Sequence, residues 1–138
     1  MATDTLLQMR FNADPKRLRQ VREKVQEIAE TVGCSKKFIS DVVIAVNEAC
    51  MNIIQHAYKG DRSGEIELEI INNEGELVVN LTDYADPVDT NSIAPRDLDD
   101  VRPGGLGTFF IGEIMDSCQY AHLDDKQGNI VTMRKKIH

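Results

Sequence analysis

The hydrophobic residues of this 138-residue chain follow two helical patterns in its first half. Apolar positions recur every three or four residues from Asp14 to Val32 and again from Ser35 to Tyr58, which is the spacing of an amphipathic helix. Asp14 and Ser35 are the residue types that cap helix N-termini, and Gly33 is the type that ends a helix. The first half therefore predicts two consecutive helices.

The second half changes to the period-two alternation that is typical of strands with one buried face. Strands are predicted over residues 5–11, 65–72, 76–83, 117–122 and 129–137. The pair 65–72 and 76–83 is joined by a short Asn/Gly connection, which predicts a hairpin. Residues 107–115 return to helical spacing. The order of elements predicts one α/β (α+β) domain over residues 1–138, a two-layer sandwich with helices on one face of a mixed, mostly antiparallel sheet.

Between the two hairpins, residues 84–105 lose all periodicity and contain three prolines. A loop of this length in a small domain usually has a function.

Charge and composition narrow the classes of function. The net charge of −7 argues against a basic nucleic-acid surface. The chain has no apolar run long enough for a bilayer and no signal-peptide pattern, so we expect a cytoplasmic protein without a membrane partner. Its three cysteines and three histidines are scattered, which favours neither a disulfide framework nor a zinc site.

The second helix carries a narrow polar stripe beside its apolar face, formed by Asp41, Glu48, Asn52 and His56. Such a stripe is most often the solvated side of an amphipathic helix. A row of carboxylate, amide and imidazole groups bordered by small alanines could also form the floor of a pocket. The helix alone leaves both interpretations open.

Three other signals are weak when each is taken alone. Asp83 ends a strand, where it could accept a hydrogen bond from adenine N6 or simply start a turn. The sequence RPGGLGT, from Arg102 to Thr108, could hold an anion at a helix N-terminus or form a flexible turn. Thr132 lies in a strand, where threonine is ordinary.

Taken together, in this order and spacing, these signals resemble the GHKL ATPases, and within them the bacterial anti-sigma-factor serine kinases. The matching segments are NEACMNIIQHAYKG, DYADP, RPGGLGTFFIGEIMD and GNIVTMRKKI. The resemblance covers nearly the whole chain and implies a Bergerat-type ATP-binding fold.

The resemblance also implies residue roles. Asn52 would hold the Mg²⁺ that bridges the ATP phosphates, and Glu48 would be the catalytic base that takes the proton from a protein serine. His56 would lie on the phosphate side, while Asp83 would read adenine with support from Thr132. The phosphate-binding backbone would come from Gly104, Gly105, Leu106, Gly107 and Thr108. The ATP lid would run over 88–104, with Arg96 or Arg102 reaching a phosphate.

One position departs from the family pattern, because Ala85 stands where glycine is usual. If this position needs a positive φ, the alanine would cost on the order of 1 kcal/mol and weaken ATP binding about tenfold.

The implied partners are a sigma factor, an anti-anti-sigma (STAS-type) antagonist whose serine is phosphorylated, and a second copy of the chain. Two alternatives stay open: a binding protein with an inert nucleotide site, and the same kinase in a pathway without a sigma factor.

Overall fold

A computed structural model of the protein describes residues 3–85, 111–123 and 127–137. Its strands are β1 (Thr3–Asn12), β2 (Glu65–Asn73), β3 (Glu76–Asp83), β4 (Ser117–His122) and β5 (Asn129–Lys136). Its helices are a 3₁₀ turn (Pro15–Arg17), α1 (Leu18–Thr31), α2 (Lys36–Asn52) and a π-helical segment (Ile53–Ala57) that continues α2. Residues 111–114 are also helical.

Both predicted N-caps are present. The Asp14 carboxylate accepts a hydrogen bond from the backbone N–H of Lys16 at 3.0 Å, at the 3₁₀ turn that precedes α1. The Ser35 hydroxyl accepts one from the N–H of Phe38 at 3.1 Å. Each bond satisfies a backbone donor that a helix start leaves without an intrahelical partner. Gly33 follows α1 with φ of +85°, which glycine adopts without strain.

The five strands form one sheet in the order β1-β2-β3-β5-β4. All four pairings among the described strands are antiparallel, so the prediction of a mixed sheet was wrong in that detail. The reason is that β5 enters between β3 and β4 and runs antiparallel to both. The predicted hairpin of β2 and β3 is confirmed.

The two faces of the sheet differ as the alternation predicted. The inner face packs on α1 and α2, and its core includes Ile66, Leu68, Ile70, Leu77, Val79, Leu81, Val131 and Met133. Val21 and Val25 of α1 and Val42 and Val46 of α2 complete that core. The opposite side, here called the outer face, carries Gln8, Arg10, Glu67, Glu69 and Asn80. This arrangement confirms the two-layer sandwich.

The continuous helix Lys36–Ala57 has a mean hydropathy of 1.3 in its most apolar window and is long enough to cross a membrane. Much of its apolar surface belongs to the core, because Val42, Val46, Cys50 and Ile54 are each at most 3% exposed, although Ile44 is 44% exposed. A central core helix of a globular domain has this composition without any membrane.

Candidate functional site

The polar stripe of α2 divides into two environments. At one end, Asp41 forms an i,i+4 ion pair with Lys37, whose nitrogen lies 3.1 Å from the carboxylate. At the other end, Asn52 is only 4% exposed although it lies on the polar side of the helix. The solvated interpretation therefore fails for Asn52, while Asp41 is half-buried and its charge is balanced by Lys37 and by Lys135 of β5.

Asn52 is the last residue of α2 before the helix widens into the π-helical segment Ile53–Ala57. A π turn adds a residue to the helical repeat, and such segments occur frequently at functional sites. Here the π-helical segment contains His56, which lines the same pocket as Asn52. The segment Ile53–Ala57 itself contains no proline or glycine that would have indicated a π-helical turn.

Asn52 and His56 line a pocket between the end of α2 and the inner face of the sheet, and Asp83 of β3 lines it from the other side. The remaining lining residues are Ala49, Ile53, Ala57, Tyr120, Ala121, Asn129, Ile130 and Val131. The fold thus brings two residues of the polar stripe, Asn52 and His56, together with the end of β3. Glu48 lies outside this lining, one helical turn before Asn52, and is half-buried.

Asp83 is a buried carboxylate at the polar end of a mostly apolar pocket. It is 3% exposed, and its Oδ1 accepts hydrogen bonds from Asn129 Nδ2 at 2.9 Å and from the Ala85 N–H at 3.1 Å. Burial raises the pKa of the Asp83 carboxyl, while the two hydrogen bonds act in the opposite direction. A carboxylate fixed in this way can accept a hydrogen bond from an amino group of a ligand.

The prediction that Thr132 supports Asp83 was wrong. The antiparallel register pairs Asp83 with Asn129 and pairs Thr132 with Asn80. Because side chains alternate between faces along a strand, Thr132 lies on the outer face, where its hydroxyl donates to Asn80 Oδ1 at 2.8 Å.

The residue that sequence reasoning missed is Asn129, which approaches Asp83 from the neighbouring strand. The sequence feature that could have indicated Asn129 is its position directly after Gly128, at the start of β5. A Cβ at Gly128 would lie 2.5 Å from the Asp83 carbonyl oxygen, so only glycine allows this close approach without movement. Gly128 also has φ of +146°.

Ala85 does not show the strain that its position suggested. Among the described residues, the non-glycine residues with positive φ are Lys59 and Glu74. Ala85 is 7% exposed. Its N–H donates a hydrogen bond to the Asp83 carboxylate two residues earlier, which forms an Asx turn. The predicted strain at Ala85 is therefore not observed.

The described residues contain no group of three or more His, Cys, Asp or Glu side chains that could hold a metal ion. Mg²⁺ at nucleotide sites needs few protein ligands, because phosphates and waters complete its coordination. Asn52 fits that requirement, since it places a hard amide oxygen at the buried floor of the pocket.

Several predicted elements lie outside the described residues. They are the phosphate-binding backbone of Gly104, Gly105, Leu106, Gly107 and Thr108, the lid over 88–104, and Arg96 and Arg102. The predicted helix over 107–115 is described only from residue 111 onward.

Comparison with known proteins gives consistent results. A model of the histidine kinase-like ATPase domain matches residues 11–135. The serine-protein kinase RsbW of Listeria monocytogenes is 33% identical over 138 residues, which cover 94% of this chain and 86% of that protein. The serine-protein kinase RsbW of Bacillus licheniformis is 32% identical over 118 residues, covering 80% of this chain and 74% of that protein.

Among solved structures, a chain of the SiaB-SiaC complex from Pseudomonas aeruginosa has the same fold. The superposition gives a TM-score of 0.69 and covers 95% of this chain and 89% of that chain, at 18% sequence identity. At that identity the likeness extends to the fold alone.

Proposed function

The chain belongs to the histidine kinase-like ATPase domain family, together with the RsbW serine-protein kinases, and on that premise we propose that it is an ATP-dependent protein serine kinase that acts as an anti-sigma factor. The observation that carries the nucleotide site is the buried Asp83 facing Asn52 and His56 across one pocket. An adenine and a metal-bound phosphate chain need an acceptor and a hard oxygen ligand at opposite ends of such a pocket.

In this proposal Asp83 accepts the hydrogen bond from the exocyclic amine of adenine. Asn129 and the Ala85 N–H hold Oδ1 of the carboxylate, so the carboxylate has a fixed orientation before the nucleotide arrives. Apolar side chains of the pocket, including Ala49 and Val131, are available to pack on the purine ring. A preorganised acceptor spends little binding free energy on ordering itself.

The phosphates would extend toward Asn52 and His56. Asn52 would hold Mg²⁺, which neutralises charge on the transferring phosphoryl group when it is bound. His56, half-buried in the π-helical segment, is placed to contact the phosphate chain. Gly104 to Thr108 would supply backbone N–H groups to the phosphates, as the family pattern implies.

Glu48 is the proposed general base. It would take the proton from the serine hydroxyl of the protein substrate as the serine oxygen bonds to the γ-phosphorus. The bond from that phosphorus to the ADP oxygen breaks, and ADP leaves. Glu48 and Asn52 are four residues apart, which is about one helical turn. Their side chains therefore lie on the same face of the helix.

The partners in this proposal are those that the similarity to the RsbW kinases supports. We place the protein in the cytoplasm as a homodimer that sequesters a sigma factor and releases it to an unphosphorylated anti-anti-sigma protein. Phosphorylation of the antagonist serine adds about 1.5 to 2 negative charges, enough to break a docked interface and reverse the exchange. The solved SiaB-SiaC complex contains a chain with this fold in a protein–protein complex, and this supports the proposal of a protein partner.

The test is a phosphotransfer assay with Mg·ATP and candidate antagonist proteins from the same genome. Wild-type protein should phosphorylate one of them on serine. Glu48→Gln should lose at least about 100-fold in rate while ATP still binds. Glu30→Gln, which changes an exposed glutamate on α1, is the matched control and should keep full activity.

Two results would revise this proposal. Unchanged transfer by Glu48→Gln would remove Glu48 from the base role. Absence of transfer from the wild type to every antagonist, with sigma-factor binding intact, would favour the inert binding protein instead.

A further inference from the structure

Tyr58 is the first residue after the π-helical segment, and its hydroxyl reaches the far end of the β2–β3 hairpin. The hydroxyl donates a hydrogen bond to the Glu65 carbonyl oxygen at 2.6 Å. It also accepts one from the backbone N–H of Tyr84 at 2.8 Å. Tyr84 directly follows Asp83, so this side chain connects the helix of the pocket to the backbone of the buried carboxylate.

The two hydrogen bonds of the Tyr58 hydroxyl take the place of a direct backbone hydrogen bond between β2 and the chain after β3. The antiparallel register of β2 and β3 ends where Ile66 pairs with Asp83, and one further step of that register would place Glu65 opposite Tyr84. At that step an antiparallel pair would join the Tyr84 N–H to the Glu65 carbonyl directly. The Tyr58 hydroxyl lies between these two groups instead, so it ends the β2–β3 ladder at Asp83 and fixes the direction in which the chain leaves.

The ring of Tyr58 is fixed by packing, in addition to the hydrogen bonds of its hydroxyl. A Cβ at Gly64 would lie 2.5 Å from two Tyr58 ring atoms, so the ring packs directly on the glycine backbone. The Gly64 carbonyl in turn accepts the Ala13 N–H at 2.8 Å. Burial raises the pKa of the Tyr58 hydroxyl, which keeps it protonated and able to donate at physiological pH.

The Tyr84 backbone is held from both sides. Its N–H is bound by Tyr58, and its carbonyl accepts a hydrogen bond from Gln127 Nε2 at 3.2 Å. The Tyr84 hydroxyl points elsewhere, because it donates to Glu67 Oε1 at 2.7 Å on the outer face. Of these two tyrosine hydroxyls, the one on Tyr58 binds the backbone directly after Asp83, whereas the one on Tyr84 binds Glu67.

We propose that Tyr58 is a positioning residue that sets the place of the Asp83 carboxylate and thereby makes the pocket prefer adenine over a purine without an exocyclic amine. The inference rests on the proposed function, in which Asp83 reads that amine. Without the Tyr58 hydroxyl, the Tyr84 N–H can bond the Glu65 carbonyl directly, and the two backbones move closer together. Asp83 then shifts away from the position in which it can accept a hydrogen bond from the adenine amine.

The experiment measures dissociation constants by calorimetry for Mg·ATP and for the Mg-bound triphosphate of purine riboside, which lacks the 6-amino group. Wild-type protein should bind ATP at least about tenfold more tightly, since a hydrogen bond to a charged group is lost with the analogue. In Tyr58→Phe this preference should fall to about threefold or less, mainly through weaker ATP binding.

Tyr84→Phe is the matched control, because it removes the neighbouring hydroxyl and leaves the backbone bond of Tyr84 in place. It should keep the wild-type preference. A folded Tyr58→Phe with an unchanged preference would overturn the inference, whereas a wild type that binds both nucleotides equally, or neither, would overturn the role of Asp83 instead.

Thermal unfolding by circular dichroism shows whether each variant is folded. If Tyr58→Phe does not fold, Gly64→Ala provides a second test, because its methyl group displaces the ring and keeps the hydroxyl. The preference for ATP should then fall in part. An unchanged preference in folded Gly64→Ala would contradict the positioning role.

Discussion

Two side-chain hydrogen bonds join β3 to β5, one on each face of the sheet. On the inner face Asn129 donates to Asp83 at 2.9 Å, and on the outer face Thr132 donates to Asn80 at 2.8 Å. The bonds are nearly equal in length and lie three residues apart along each strand. Their surroundings differ, because Asp83 is buried in the pocket whereas Asn80 also donates to Glu69 on the half-exposed outer face.

The difference shows that the register of the strands, rather than the residue type, decides which pair can touch a ligand. An odd step along a strand changes the face of the sheet. Thr132 and Asn129 are both small polar residues in the first half of β5, yet only Asn129 faces the pocket. Substitutions on the two faces should therefore have unequal effects on nucleotide binding.

The largest effect is expected from Asp83→Ala. This variant loses the acceptor for the adenine amine and leaves Asn129 without its buried carboxylate partner, so ATP should bind about 100-fold more weakly. Calorimetric titration with Mg·ATP measures the change. Asn80→Ala is the outer-face control and should bind within about twofold of wild type; equal losses in both variants would refute the distinction between the faces.

A smaller effect is expected from Asn129→Ala. The Asp83 carboxylate would keep its bond from Ala85 but lose its support from β5, and ATP binding should weaken about tenfold. The same titration applied to Thr132→Val should show no change beyond about twofold, because that hydroxyl serves only the outer face. A tenfold loss of ATP affinity in Thr132→Val would show that Thr132 contributes to the nucleotide site.

The burial of Asp83 predicts a dependence of stability on pH. Since burial raises its pKa in the folded protein, the folded state binds the proton more tightly than the unfolded chain, and ionisation destabilises the fold. This cost is absent below the ordinary pKa near 3.8, grows as the pH rises, and is complete above the raised pKa. Asp83→Asn should therefore be more stable than wild type at neutral pH and lose that advantage in acid.

Urea unfolding at neutral and acidic pH measures this difference. Asp61 is an exposed comparison of opposite sign, because hydrogen bonds from Ser63 lower its pKa. Asp61→Asn should therefore lose a little stability at neutral pH, and the loss should disappear as the pH falls through the lowered pKa. A neutral-pH loss of stability in Asp83→Asn as well would show that its hydrogen bonds outweigh the cost of burial.

The smallest effect is expected from Ala85→Gly. Ala85 is free of positive φ in the described structure, so restoring the usual glycine should change ATP affinity by less than about threefold. A gain of tenfold or more would show that the methyl group obstructs the nucleotide after all.

The elements of the fold were accessible from sequence because each depends on a local pattern. β3 and β4 have the predicted bounds, and Asp14 and Ser35 cap helices as their residue types suggest. The insertion of β5 between β3 and β4 was not accessible, because it depends on contacts between residues distant in the chain. The all-antiparallel sheet follows from that insertion.

The candidate site divides in the same way. Asn52 and Asp83 were identified from motif spacing, and the fold brings them to one pocket. Thr132 was misassigned and Asn129 overlooked, because the facing residue across two strands is set by a register that neither strand reveals alone. The π-helical segment that contains His56 was not predicted, because it contains no glycine or proline.

The most direct test of the account is a calorimetric titration of the protein with ATP in the presence of Mg²⁺, in parallel with Asn52→Ala and Asn47→Ala. Asn47 lies on the same helix but accepts a hydrogen bond from Arg22 of α1 at 2.9 Å, which makes it a matched control. We predict micromolar binding that is lost in Asn52→Ala and kept in Asn47→Ala. No binding to the wild type up to millimolar ATP would contradict the account.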